Sequence, residues 1–275
     1  PAPCVVMAHG LGGVKELRLD AYAERFAARG YATLVFDYRH FGTSDGEPRR
    51  VIDVRRQYED WRAAVACARA RKDVDPERIV LWGSSLSGGH VLGLAAEGID
   101  VAAVIAQVPH VNAWAAMRVS QSAAMIKLLG VAACDRLGAL VGRAPRYVPA
   151  AGSPGEVALM NAPEALEYLD LVPAGFAFDP TIAARSVFSL MTYSPGRRAY
   201  RIGVPVLMQV ALEDQITPPE AAVAVAGQIP RCELATYPVG HFKPYLGEAF
   251  ERFVAAQLDF LQRHVIAPAA AAGRE

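Results

Sequence analysis

Apolar residues follow two rhythms along the chain. Short continuous runs at residues 5–8, 31–36, 79–82, 101–108, 204–211 and 232–237 have the length of buried strands. Between them the apolar positions return at helical spacing. Leu19, Tyr22 and Phe26 recur within 17–29, which ends at Gly30. Tyr58, Trp61, Val65 and Ala68 mark one face of 52–71, and Phe250, Phe253, Val254, Leu258 and Leu261 one face of 247–265. Residues 88–97 read as a small-residue helix, 218–228 as a helix opened by Pro218, and Asp75-Pro76 as a turn. Strands alternating with helices predict an α/β fold, a mostly parallel sheet flanked by helices on both faces.

The alternation stops between His110 and Arg201. This stretch is helix-prone, shows no strand pattern, and is interrupted by seven prolines from Pro145 to Pro195. About ninety residues are too many for an ordinary connection. They predict a helical cap over residues 110–201, inserted into a core made of 1–109 and 202–266. The prolines should divide the cap into short helices. Its apolar residues, Met117, Met125 and Met191 among them, suit either a pocket wall or the cap's own core. Trp114 and Phe188 are the candidate substrate contacts. The alanine-rich tail, 267–275, has no pattern to pack and is expected to be disordered.

Composition narrows the partners. The 275 residues are 53% hydrophobic and 20% charged, and the formal net charge is zero. Nothing in that balance favours nucleic acid or an anionic membrane. The longest apolar runs are strand-sized, well short of the ~20 residues of a membrane span. Cys4, Cys67, Cys134 and Cys232 form no CxxC pair and read as buried reduced thiols. The histidines lack ligand spacing, so no metal is expected, and no cofactor. A cytoplasmic location fits these features. The chain opens at Pro1 and is strand-like within three residues, which reads as a truncated start compatible with a lost signal peptide.

The sharpest local signal is Trp82-Gly83-Ser84-Ser85-Leu86-Ser87-Gly88-Gly89, between a strand and a helix. A nucleophile on so tight a turn needs small residues two places before and after it. Ser84 would put Trp82 at the first of those places. Ser87 would leave too long a link from the strand. Ser85 has Gly83 and Ser87 at the two places and is the candidate nucleophile. The helix that follows directs its positive end at the site, and the Leu86 N–H is a candidate oxyanion donor.

A serine needs a base, and the base needs an orienting acid. Of six histidines, only His241 lies in the loop between the last strand and the last helix. Parallel-sheet sites collect at such strand ends. The acid should follow the preceding strand, where Glu213 and Asp214 adjoin. Asp214 is preferred because it sits deeper in the turn, and Glu213 is the alternative. Thr217 is better placed than Asp214 to cap the next helix. The turn His9-Gly10-Leu11-Gly12-Gly13 supplies the second oxyanion candidate, the Leu11 N–H.

As a set, these motifs resemble the α/β-hydrolase superfamily. So does the loop Asp37-Tyr38-Arg39-His40-Phe41-Gly42-Thr43-Ser44-Asp45-Gly46. The GSSLSGG elbow is similar to that of acetyl-xylan-esterase-like and dienelactone-hydrolase-like proteins, and of fungal polyketide transferases. The resemblance implies an antiparallel hairpin ahead of the HG strand, which is missing from this chain. It also implies a Ser85–His241–Asp214 serine esterase or thioesterase acting on a small-molecule ester or thioester with an apolar acyl group. The alternative is an acyltransferase or cyclase that passes the acyl group to an alcohol or amine. A non-catalytic binding protein on the same fold is the third reading.

Overall fold

The computed structural model describes residues 1–119 and 122–267. Six parallel strands form one sheet: β1 (Ala2–Ala8), β2 (Ala32–Phe36), β3 (Val74–Ser84), β4 (Ala103–Gln107), β7 (Val206–Ala211) and β8 (Cys232–Tyr237), in the order β2-β1-β3-β4-β7-β8. Helices α1 (Leu19–Ala27), α2 (Val54–Arg69), α3 (Leu86–Ala96), α7 (Pro219–Ala226) and α8 (Gly247–Leu261) link or flank them. Strands β4 and β7, and β3 from Ile79 to Ser84, are wholly buried, as continuous apolar runs in a parallel sheet require.

The expected Asp75-Pro76 turn lies inside β3. The register with β1 jumps from Ala2↔Val74 to Cys4↔Ile79, so the strand accommodates the proline in a bulge. The four cysteines are free, but only Cys4 is buried; Cys67 and Cys134 are exposed. The small residues of α3 let it pack at every position, and all eleven are buried.

Residues between β4 and β7 carry α4 (Ala113–Val119), α5 (Ser122–Leu140), β5 (Tyr147–Pro149), β6 (Thr181–Ala183) and α6 (Val187–Met191), with short 3-10 turns between them. The expectation of a strandless insertion is corrected here: β5 and β6 pair antiparallel, Val148 against Ile182. Strands of three residues, far apart in sequence, leave no period to read. Leu128, Ala132, Val148, Ala184 and Val187 form a small core within the insertion. Residues 268–275, most of the stretch expected to be disordered, lie outside the described residues. Ala267 continues the last helical turn. Among the described residues no helix is long and apolar enough to cross a membrane.

Candidate active site

Strand β3 ends at Ser84 and α3 begins at Leu86, so Ser85 alone makes the turn, with φ 56° and ψ −120°. A β-carbon at Gly83 would overlap the Ser87 carbonyl, which is why the elbow needs glycine there. The three serines of the motif have different partners. Ser84 Oγ accepts from the Tyr245 hydroxyl at 2.6 Å, and Ser87 Oγ pairs with the Tyr38 hydroxyl at 2.6 Å. Ser85 Oγ lies 3.0 Å from His241 Nε2.

His241 Nδ1 is 2.6 Å from Asp214 Oδ2. Asp214 also accepts from the Ile216 and Thr217 N–H groups and from the Thr217 hydroxyl, at 2.7–2.8 Å. These bonds lock the carboxylate and leave it aimed at the imidazole. Thr217 was expected to cap the following helix; instead Pro218 stands at that position without a side-chain cap, and Thr217 braces Asp214. Glu213 is exposed. Ser85, Asp214 and His241 are each under 10% exposed.

The glycine turn after β1 passes directly over the serine. A β-carbon at Gly10 would lie 3.0 Å from Ser85 Cβ, which brings Leu11 and Leu86 to the same edge of the site. Lys15 holds this turn to the loop after β2 through its N–H and ammonium bonds to Asp37, at 2.8 and 2.9 Å.

An apolar pocket of about 120 Å³ opens beside Ser85. Its far wall comes from the insertion: Met117, Met125, Leu128, Val187 and Met191. Trp114 and Phe188 are not on that wall. They are 63% and 40% exposed, on the outward faces of α4 and α6. Trp114 adjoins the wall residue Ala113 and Phe188 adjoins Val187; neighbouring helical positions point about 100° apart, and residue type alone did not sort them. His110 also lines the pocket. Burial pushes its imidazole down to about 4, and it stacks on Tyr193, so it is a neutral wall residue at neutral pH.

Sequence reading missed Glu164. It sits just ahead of the turn Ala165–Leu171 and spans both loops of the site. Its carboxylate accepts from the His241 N–H at 2.9 Å and from the Gln215 N–H. A β-carbon at Gly240 would overlap Glu164 Oε2, so the glycine beside His241 makes room for the carboxylate. Burial pushes the Glu164 carboxyl above its ordinary value, against the two N–H bonds that favour its charge. No local motif marks such a residue.

A hydroxyl, an imidazole and a carboxylate in this relay can move a proton from oxygen to nitrogen and stabilise the resulting imidazolium. Among the described residues no cluster could hold a metal ion. The six-stranded parallel sheet with a serine elbow at the end of its third strand is that of an α/β-hydrolase.

Within that class, the chain belongs to the family described as serine aminopeptidase, S33, whose model matches residues 1–241. It is 47% identical to the quorum-quenching protein AidA of Acinetobacter baumannii over 264 residues, covering 96% of this chain and 87% of that one. It is 32% identical to the polyketide transferase ATR5 of Stachybotrys chlorohalonatus, covering 95% and 89%. The crystal structure of the α/β-hydrolase GrgF from a Penicillium species superposes with a TM-score of 0.80 at 27% identity, over 96% of this chain and 91% of that one. The protein is an enzyme of the hydrolase or acyltransferase kind.

Proposed function

We propose that the chain is a serine hydrolase that cleaves a carboxylic ester or thioester through a covalent acyl-enzyme. The observation that carries this reading is the unbroken relay from Asp214 to His241 at 2.6 Å and from His241 to Ser85 at 3.0 Å. Ser85 Oγ attacks the carbonyl carbon while His241 Nε2 takes its proton. Asp214 holds the tautomer that presents Nε2 as acceptor and stabilises the imidazolium. The Leu11 and Leu86 N–H groups receive the oxyanion. His241 then returns the proton to the leaving group.

The acyl group lies in the apolar pocket, whose methionine and leucine wall suits an alkyl chain. The similarity to a quorum-quenching protein extends the reading: the substrate is a small signal molecule that carries such a chain. A fluorophosphonate probe tests the core of it. Labelling at Ser85, lost in Ser85→Ala, is the expected result; an unlabelled wild-type protein would overturn it. A second reading, transfer of the acyl group to an alcohol or amine, draws on the similarity to a polyketide transferase.

A further inference from the structure

A second, smaller cavity touches Ser85. It is walled by Gly10 and Leu11 of the glycine turn, by His241 and Phe242, and by Tyr168 and Leu171 of the turn Ala165–Leu171. Leu11, Ser85 and Met160 line this chamber and the large pocket alike, so the serine stands at the partition between them. His241 lines only the small chamber. The chamber's volume is about 30 Å³, against about 120 Å³ for the apolar pocket. One water needs roughly 10–15 Å³.

Tyr168 is 4% exposed, and its hydroxyl is buried with no hydrogen-bond partner among the described residues. A buried hydroxyl left unpaired is costly and needs a reason. The side chain is fixed in place. Its ring meets those of Phe178 and Phe242 at centroid distances of 6.0 Å. The turn that carries it is tied to the histidine loop by Glu164 on the His241 N–H and by Glu167 on the Lys243 ammonium at 2.9 Å.

We propose that this chamber holds the second nucleophile of the reaction, that the Tyr168 hydroxyl binds it, and that the space admits water or methanol but not a bulky acceptor. The inference rests on the acyl-enzyme reading above and decides between its two outcomes in favour of hydrolysis. With the acyl chain in the apolar pocket, water in the chamber attacks the acyl carbonyl carbon and gives its proton to His241 Nε2. The tetrahedral carbon then expels Ser85 Oγ, which takes that proton, and the carboxylic acid is released. Tyr168 orients the water and exchanges no proton; burial raises its hydroxyl further above the ordinary phenol range.

The test separates the two halves of the reaction. A p-nitrophenyl butyrate ester acylates the enzyme with a leaving group that needs no proton. Nitrophenol release in the first turnover then reads acylation, and intact mass reads the lifetime of acyl-Ser85. In Tyr168→Phe the acyl-enzyme should persist at least about ten-fold longer while first-turnover release keeps its wild-type rate. With added alcohols, the wild type should form methyl butyrate but not butyl butyrate, and Leu171→Ala should admit 1-butanol. An unchanged acyl-enzyme lifetime in Tyr168→Phe, or butyl ester formed by the wild type as readily as methyl, would overturn the proposal. Absence of any acyl-Ser85 in wild type and variant, with no nitrophenol released, would instead remove the acyl-enzyme reading beneath it.

Discussion

Ser85 occupies a backbone conformation that L-residues rarely adopt, and the turn holds it there because Gly83 and Ser87 are small. Its neighbours Ser84 and Ser87 face buried tyrosines, so the three hydroxyls are not interchangeable. Ser85→Ala is expected to lower kcat by about six orders of magnitude, as loss of a triad nucleophile does elsewhere. Ser84→Ala and Ser87→Ala should keep measurable activity in the same ester assay. The two carboxylates of the acid loop differ just as sharply. Asp214 carries four hydrogen bonds, including the one to His241, whereas Glu213 is exposed. Asp214→Asn should cost about four orders of magnitude in kcat, and Glu213→Gln almost nothing. A larger loss in Glu213→Gln would give the orienting role to that residue.

At the scale of elements, the last helix shows how a pattern can be right and incomplete. The apolar stripe of α8 was legible, but the stripe includes a glutamine. Gln257 is fully buried beneath the sheet. It accepts from the Trp82 indole N–H at 2.9 Å and donates to Gln107 and Gln209, tying α8 to β3, β4 and β7. Gln257→Leu leaves these partners unpaired in the core and should destabilise the fold by about 3 kcal/mol, measured by urea denaturation. The insertion teaches the complementary lesson. Helical propensity and prolines mark out the segment in the sequence, yet cannot say which apolar side chains turn inward, because that depends on how α4, α5 and α6 lean on one another. Ala116 faces the pocket from α4. Ala116→Phe should therefore shift preference toward short acyl esters. Across a p-nitrophenyl ester series, kcat/KM for long chains should fall by about 1–3 kcal/mol relative to acetate. The same series with Trp114→Ala should be unchanged, since that side chain lies in solvent.

Over the whole molecule, the insertion is joined to the sheet domain through a neutral histidine. His90 on α3 lies within hydrogen-bond distance of Gln57 Oε1 on α2, at 2.9 Å, and of the Tyr193 hydroxyl, at 2.7 Å. The acceptor on Gln57 assigns the imidazole proton to Nε2, so Nδ1 accepts from Tyr193. Burial pushes this imidazole down to about 3. Between pH 6.5 and 3 the unfolded chain therefore binds a proton that the folded one refuses, and stability falls as pH drops through that window. Urea midpoints should be level above pH 7 and decline from about pH 6.5, before ordinary carboxylates begin to titrate. A His90→Gln variant should decline less steeply, by up to about 1.4 kcal/mol per pH unit. An equal slope in both proteins would place the proton uptake elsewhere.

The alternation of apolar runs and helical stripes was enough to specify the α/β layering, because each element buries its own face and writes that face into a local period. The elbow was legible for a similar reason: a turn that tight constrains five consecutive residues. The partners within reach of Ser85 were narrowed by strand ends, since a parallel sheet gathers its loops at one edge. Everything that depends on contact between distant segments was decided only in the folded chain. Of two adjacent carboxylates only Asp214 meets His241, held inward by the Ile216 and Thr217 N–H groups. Two three-residue strands became a sheet because β5 and β6 met. Glu164 and Tyr168 belong to no motif. Glu164 meets the His241 N–H and Tyr168 meets Phe242, and a local period carries no record of a side chain's partner some 75 residues away.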